Sequence, residues 1–315
     1  MPRPIPNFNQ FIGQTRVVRL LRRLTQGAKQ LGTPCPSILL KAASGCGKTS
    51  LAEAVAVEMG TEIHRLFAGS ETRAVDICRM LRQVNHADTV FIDEAHSLHQ
   101  NAQQILYAAL DGHRIPSVTD EGKIVRSEFE SISAFTLIAA TNEPGQLKAA
   151  LRNRLVHVEF EPYSEIELKA VAERVARQRG VRITPQAARR IAEVAQGIPR
   201  IVYQQLELLR YFNPNQTEFT SEDLLESLSS QGIDERNLFP KQREYLRILA
   251  RNPNGICPLE RISALLGTDL RDVRQTIEPY LINQGLVDPN STRGRKLTGL
   301  GRALVEEFPP AGGEV

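Results

Sequence analysis

Tryptophan is absent from this 315-residue chain, methionine occurs three times, cysteine four times, and aromatic residues make up 5%. With so few rings, the core has to be aliphatic, and the 41% hydrophobic fraction allows that. The cysteines (Cys35, Cys46, Cys78, Cys257) are scattered, with no CxxC pair and no Cys/His cluster. That argues against a zinc site or a disulfide framework and for a cytoplasmic chain with reduced thiols. No apolar run approaches the ~20 residues of a bilayer span, so no membrane segment is expected. Met1–Pro6 carries three prolines and no hydrophobic stretch, so no secretory leader is expected either. Charge of one sign is lacking too: 39 Lys and Arg stand against 36 Asp and Glu, a formal net of +3. Any nucleic-acid contact must therefore come from a local patch. Repeats are absent, and low complexity is confined to the Pro/Gly-rich residues 309–315, expected to be disordered.

At roughly 150 residues per domain, this length allows two or three domains. Residues 1–162 alternate apolar strands with amphipathic helices, the pattern of a parallel sheet covered on both faces. Strands are predicted at Ser37–Ala42, Glu62–Phe67, Thr89–Asp93, Phe135–Ala140 and Val156–Phe160. Residues 163–233 lose the strands: Ser164-Glu165, Thr184-Pro185 and Thr220-Ser221 each read as helix starts, so a small all-helical module is expected. Residues 234–308 predict helices over Lys241–Ala250, Leu259–Leu266 and Asp269–Gln284, then a hairpin within Gly285–Thr298, the outline of a winged helix.

The strongest motif is Ala42-Ala43-Ser44-Gly45-Cys46-Gly47-Lys48-Thr49, between an apolar strand and a helix-forming run. This is the context of a phosphate-binding loop. Gly45 and Gly47 let the backbone turn its N–H groups inward, and the following helix adds partial positive charge. The nucleotide-binding stretch is then Gly45, Cys46, Gly47, Lys48, Thr49 and Ser50, with Lys48 for the β- and γ-phosphates and Thr49 for Mg²⁺. Ala42 stands where the pattern has its first glycine, a mild change if its φ is not positive.

Thr89-Val90-Phe91-Ile92-Asp93-Glu94 is a strand ending in two acids, placed to face a nucleotide crevice. Asp93 suits Mg²⁺, and Glu94 suits polarisation of the attacking water. A neighbouring strand runs into Thr141-Asn142, and Asn142 can bond that water or the γ-phosphate. Arg152 and Arg154, in Leu151-Arg152-Asn153-Arg154, are two candidates for an arginine reaching a neighbouring subunit's nucleotide. Arg200, in Gly197-Ile198-Pro199-Arg200, is placed to close over the γ-phosphate.

These motifs, in this order, resemble those of the AAA+ ATPases. Within them, Phe11-Ile12-Gly13-Gln14, Ile92-Asp93-Glu94-Ala95-His96-Ser97-Leu98, Leu151-Arg152-Asn153-Arg154, Ile277-Glu278-Pro279-Tyr280-Leu281-Ile282 and Thr292-Arg293-Gly294-Arg295 are similar to the RuvB family of Holliday-junction motors. The resemblance implies an α/β P-loop NTPase core with a parallel sheet, a helical lid and a C-terminal winged helix. It implies ATP and Mg²⁺, assembly into a homo-oligomeric ring (a hexamer), and duplex or branched DNA as partner. It assigns the nucleotide, metal and water roles to Lys48, Thr49, Asp93, Glu94 and Asn142, the trans arginine to Arg154 ahead of Arg152, and the lid arginine to Arg200. Ile12 and Tyr163 would line the adenine.

Two departures qualify the resemblance. Asn142 replaces the usual Thr, and the hairpin region 114–130, where a RuvA-like partner docks in the family, carries an acidic turn at Asp120-Glu121-Gly122. A RuvA-like or other DNA-processing partner thus stays open. From the wing, Arg293, Arg295 and Lys296, extended by Arg271, are expected to meet phosphates without base readout. Three readings compete: a ring motor for branch migration, an ATP-switched loader that positions a transposase, nuclease or other partner without translocating, and a nucleotide-binding regulator with little turnover. Intact Asp93 and Glu94 argue against the third.

Overall fold

The structure is a computed structural model that describes residues 7–119, 123–291 and 294–308. The Asp120–Gly122 turn, Arg293 and the 309–315 tail therefore lie outside the described residues. The described chain divides into two compact units.

The first unit runs to Arg174 and includes Gly197–Tyr203. Its elements are α1 (Thr15–Leu31), β1 (Ile38–Lys41), α2 (Lys48–Met59), β2 (Ile63–Phe67), α3 (Ala74–Arg82), β3 (Thr89–Asp93), α4 (Gln100–Gly112), β4 (Arg114–Val118), β5 (Ile124–Ser131), β6 (Thr136–Thr141), α5 (Ala149–Arg152) and β7 (Val156–Glu159). Five strands form one sheet in the order β2-β3-β6-β1-β7, every pairing parallel. The central strands read as continuous apolar runs because both faces are covered; β6 is buried throughout. Leu39, Ile92, Leu137 and Ala139 meet Ile77, Leu81 and Leu106 of the flanking helices in one aliphatic core. β4 and β5 make a separate antiparallel hairpin.

The second unit holds Val175–Gln196 and the chain from Gln204. The chain adds α6 (Glu165–Gln178), β8 (Arg182–Ile183), α7 (Pro185–Val194), α8 (Pro199–Phe212), β9 (Glu218–Phe219) and α9 (Ser221–Ser230). Thr184 and Thr220 cap their helices as their sequence implies, each hydroxyl accepting a backbone N–H. The module is not wholly helical, however: β8 and β9 form a two-residue parallel pair that seats the buried Phe219.

The winged helix comprises α10 (Pro240–Arg251), β10 (Ile256–Cys257), α11 (Leu259–Leu266), α12 (Leu270–Asp272), α13 (Glu278–Asn283), β11 (Val287–Ser291), β12 (Gly294–Leu297) and α14 (Gly299–Glu306). The helix predicted over Asp269–Gln284 is interrupted by a π-turn at Val273–Ile277. Pro279 has no N–H to return to Gln275, so the ladder widens there. Tyr245, Leu249, Ile262, Leu281, Val287 and Leu297 form this domain's core.

Candidate nucleotide site and wing

Three neighbouring strands, β3, β6 and β1, end at the same edge of the sheet. The phosphate-binding loop leaves β1, Asp93-Glu94 ends β3, and Thr141-Asn142 ends β6. The Ala42 N–H donates to Thr141 O at 3.3 Å, tying loop to strand. Ala42 is not among the residues at positive φ, so an alanine fits there without strain. Gly45 (φ 83°) and Gly47 (φ 96°) do occupy the left-handed region.

Lys48 is the first residue of α2 and is buried, its Nζ donating to Ala42 O (3.1 Å) and Ala43 O (3.3 Å). A buried ammonium that, among the described residues, bonds loop carbonyls alone keeps an uncompensated charge at the loop, which suits an anionic ligand. Thr49 Oγ1 lies 3.5 Å from Asp93 Oδ2. This hydroxyl–carboxylate set fits a hard cation such as Mg²⁺. Ser50 follows on α2, half-buried. Burial raises the Cys46 thiol, partly countered by Lys48 and Arg200 nearby.

Glu94 sits at φ 52°, and its N–H donates to Asp93 Oδ1 at 3.0 Å. His96, missed as a site residue by the sequence reading, is buried with Nδ1 3.0 Å from Thr141 Oγ1 and 3.4 Å from Glu94 Oε2. The signal was a histidine two residues beyond the acid, on the short 3₁₀ turn Ala95–Ser97. Thr141 also accepts the Glu143 N–H at 2.9 Å, so Asn142 is bracketed by a fixed backbone.

Arg200 joins this group. Its N–H donates to Gly45 O at 3.2 Å and its Nη1 to Ser44 Oγ at 3.0 Å. Tyr163 is buried, its hydroxyl donating to Cys46 O at 3.3 Å, and burial pushes its phenol far above the usual range. A Cβ on Gly13 would lie 2.6 Å from the Tyr163 ring, which places the Ile12-Gly13 segment against Tyr163. A Cβ on Gly47 would lie 3.5 Å from Phe11. Phe11, also missed, thus adds a second ring to this wall.

Arg152 ends α5 and Arg154 follows two residues later, and the hydrogen bonds of both go elsewhere. Arg152 Nη1 donates to Pro144 O at 3.3 Å, while Arg154 Nε donates to Asp111 Oδ1 at 2.6 Å.

Lys296 on the wing and Arg271 on α12 are exposed, and the Arg271 backbone N–H donates to Asp269. Arg295, expected to meet phosphate, is half-buried and paired. It turns inward onto Glu278, which is 2% exposed, and burial opposed by that carboxylate leaves its guanidinium raised. Residue 295 shares a strand face with buried Leu297, whereas Lys296 takes the opposite face. No helix among the described residues is long and apolar enough to cross a membrane.

Family models for the Holliday junction DNA helicase RuvB P-loop domain and the RuvB C-terminal winged helix domain match residues 3–160 and 235–306. The Holliday junction branch migration complex subunit RuvB of Rubrobacter xylanophilus is 33% identical over 294 residues, 92% of this chain and 82% of that protein. Its counterpart from Mycobacterium ulcerans is 32% identical over 312 residues, 97% of this chain and 90% of that protein. Among solved structures, a point mutant of Thermotoga maritima RuvB has a TM-score of 0.85 at 28% identity, covering 98% of this chain and 100% of that one. The Thermotoga maritima RuvB Holliday junction branch migration motor has a TM-score of 0.84 at 27% identity, covering 98% and 99%.

Proposed function

The chain belongs to the RuvB family, and from that premise we propose that it is an ATP-hydrolysing motor that drives duplex DNA through branched junctions as a homo-hexameric ring. The observation that carries this reading is the meeting of Lys48, Thr49, Asp93, Glu94 and Arg200 at one sheet edge. Domain division follows the same scheme: core to 162, lid 163–233, winged helix 234–308.

In this reading, Lys48 exchanges the loop carbonyls for the β- and γ-phosphates, and the N–H groups of Gly45–Ser50 wrap them. Thr49 and Asp93 would hold Mg²⁺, which would supply positive charge beside the phosphates. Glu94, steadied by His96, orients the attacking water and takes its proton, while Asn142 bonds the same water. Arg200 contacts the γ-phosphate from the loop side. Arg154, or else Arg152, reaches the neighbouring subunit's nucleotide. Ile12 and Tyr163, joined by Phe11, enclose the adenine. Lys296 and Arg271 meet DNA phosphates. The β4–β5 hairpin receives a RuvA-like or other DNA-processing partner; its exposed Phe129 favours a protein contact there.

The test is junction migration by purified protein with and without Glu94→Gln. Movement that disappears in the variant supports the motor. DNA-stimulated hydrolysis without movement supports the loader reading instead. No hydrolysis under any DNA condition defeats both.

A further inference from the structure

The outward face of α1 takes no part in the site above. This helix, TRVVRLLRRLTQGAKQL, holds five cations and no acid. Because the chain's net charge is only +3, everything outside α1 carries a slight negative excess. Val17, Val18, Leu21, Thr25 and Ala28 are buried. On the opposite side Arg16, Arg19 and Arg23 recur at helical spacing and are exposed, and Gln26 and Gln30 continue the row. Arg22 differs: it is half-buried, donating to Asn9 Oδ1 at 2.9 Å.

Elsewhere the chain tends to pair its arginines. Arg65 meets Glu53, Arg82 meets Glu130, Arg189 and Arg190 meet Glu193, and Arg247 and Arg251 meet Glu244. Among the described residues, Arg16, Arg19 and Arg23 have no acidic partner. Like charges three and four residues apart weaken a helix, so this row is kept against the stability of α1.

We infer that Arg16, Arg19 and Arg23 form a second DNA-backbone contact, on the ATPase unit rather than the winged helix. The complementarity is specific in kind. Arginine forks match phosphate oxygens, and glutamine is among the side chains that bond phosphate and sugar. The row has no aromatic ring for base stacking, which favours duplex over single strands. The inference rests on the DNA-motor reading for the choice of polyanion.

The experiment measures duplex affinity of the full chain across a salt series. In the triple variant Arg16→Gln, Arg19→Gln, Arg23→Gln, the slope of log K against log salt should become shallower by about 2 to 3. A triple Arg→Lys variant should restore the slope, which counts neutralised phosphates, without the full affinity that the arginine forks supply. Lys296→Gln runs in parallel, so a failure of the winged-helix contact is seen separately from a failure of this one. An unchanged slope in the Gln triple, or no restoration by Lys, overturns the inference. So does loss of ring assembly at unchanged slope, which would make the row a subunit contact. Loss of binding to phosphatidylserine vesicles at unchanged duplex slope would assign it to a membrane surface. Wild-type protein without salt-dependent duplex binding overturns both this inference and the DNA-motor reading.

Discussion

Arg154 meets Asp111 side-on: Nε donates to Oδ1 at 2.6 Å and Nη2 pairs with Oδ2. Tyr107, one turn earlier on α4, lies 5.2 Å from the same guanidinium, and Nη1 donates to Ala150 O. The hydrogen bond from Arg154 holds the Asp111 carboxyl below the usual carboxylate range, and Arg154 is raised in return. An arginine has five N–H donors, and these contacts engage three of them. The group is oriented while donors remain for a phosphate.

Arg154→Ala should lower kcat by on the order of 10³ with nucleotide affinity unchanged within about twofold. Mixed rings containing Lys48→Ala subunits with intact Arg154 should regain hydrolysis. Asp111→Asn should cost about ten- to hundredfold in kcat through misplacement alone, at constant KM. Arg152→Ala should cost less than Arg154→Ala. Steady-state hydrolysis with each variant, and with the mixtures, checks the set.

Gly45→Ala should damage the loop from two directions. An added Cβ would lie 2.6 Å from Arg200 Cβ, and φ 83° strains an L-residue by about 1 to 2 kcal/mol. Fluorescent-nucleotide titration should show binding lost, and thermal denaturation should show a lowered midpoint.

The wing separates two cations by one residue. Arg295→Ala leaves Glu278 buried without its partner, an expected destabilisation of about 3 to 5 kcal/mol by chemical denaturation. Lys296→Gln should leave stability unchanged within ~0.5 kcal/mol and reduce the DNA salt slope by about 1. If Arg295→Ala folds normally and shifts the salt slope instead, the inward pairing is not its role.

Asp88, at the amino end of β3, accepts hydrogen bonds from the N–H groups of Asn85 (2.9 Å) and Glu62 (3.0 Å) and lies 3.1 Å from His64 Nε2. Burial alone would raise its carboxyl, but these bonds win and hold it below the ordinary value. A depressed native pKa stabilises the fold above the unfolded value of about 3.9 and is lost as pH falls through the native one. Wild type should therefore lose stability below pH ~4 that Asp88→Asn does not have to lose. At neutral pH that variant should be less stable by about 1 to 3 kcal/mol, because the amide nitrogen cannot accept a backbone N–H. Urea titrations at several pH values test both parts.

Some of this architecture was readable residue by residue. Lys48, Thr49, Asp93 and Glu94 belong to short segments whose own backbone sets their geometry, so strand, turn and helix signals placed them together. Arg200 was readable as a helix-start residue, but its bond to Ser44 joins positions far apart in the chain and needed the fold. The pairing of Arg295 with Glu278 was not legible, because a basic turn reads as solvated. The strand parity shared with Leu297 held the contrary signal. His96 and Phe11 escaped because each acts through a neighbour, one through Thr141 and the other beside Gly47. The π-turn before Pro279 reflects one missing donor that helix periodicity cannot register.

Glu94 adopts a left-handed backbone conformation that side-chain-bearing residues resist. Relieving it with Glu94→Gly should make the folded chain no less stable while removing the proposed base. Selection for robustness and selection for turnover therefore pull in opposite directions at this position. A library screened only for heat resistance would be expected to discard the residue proposed to activate the attacking water.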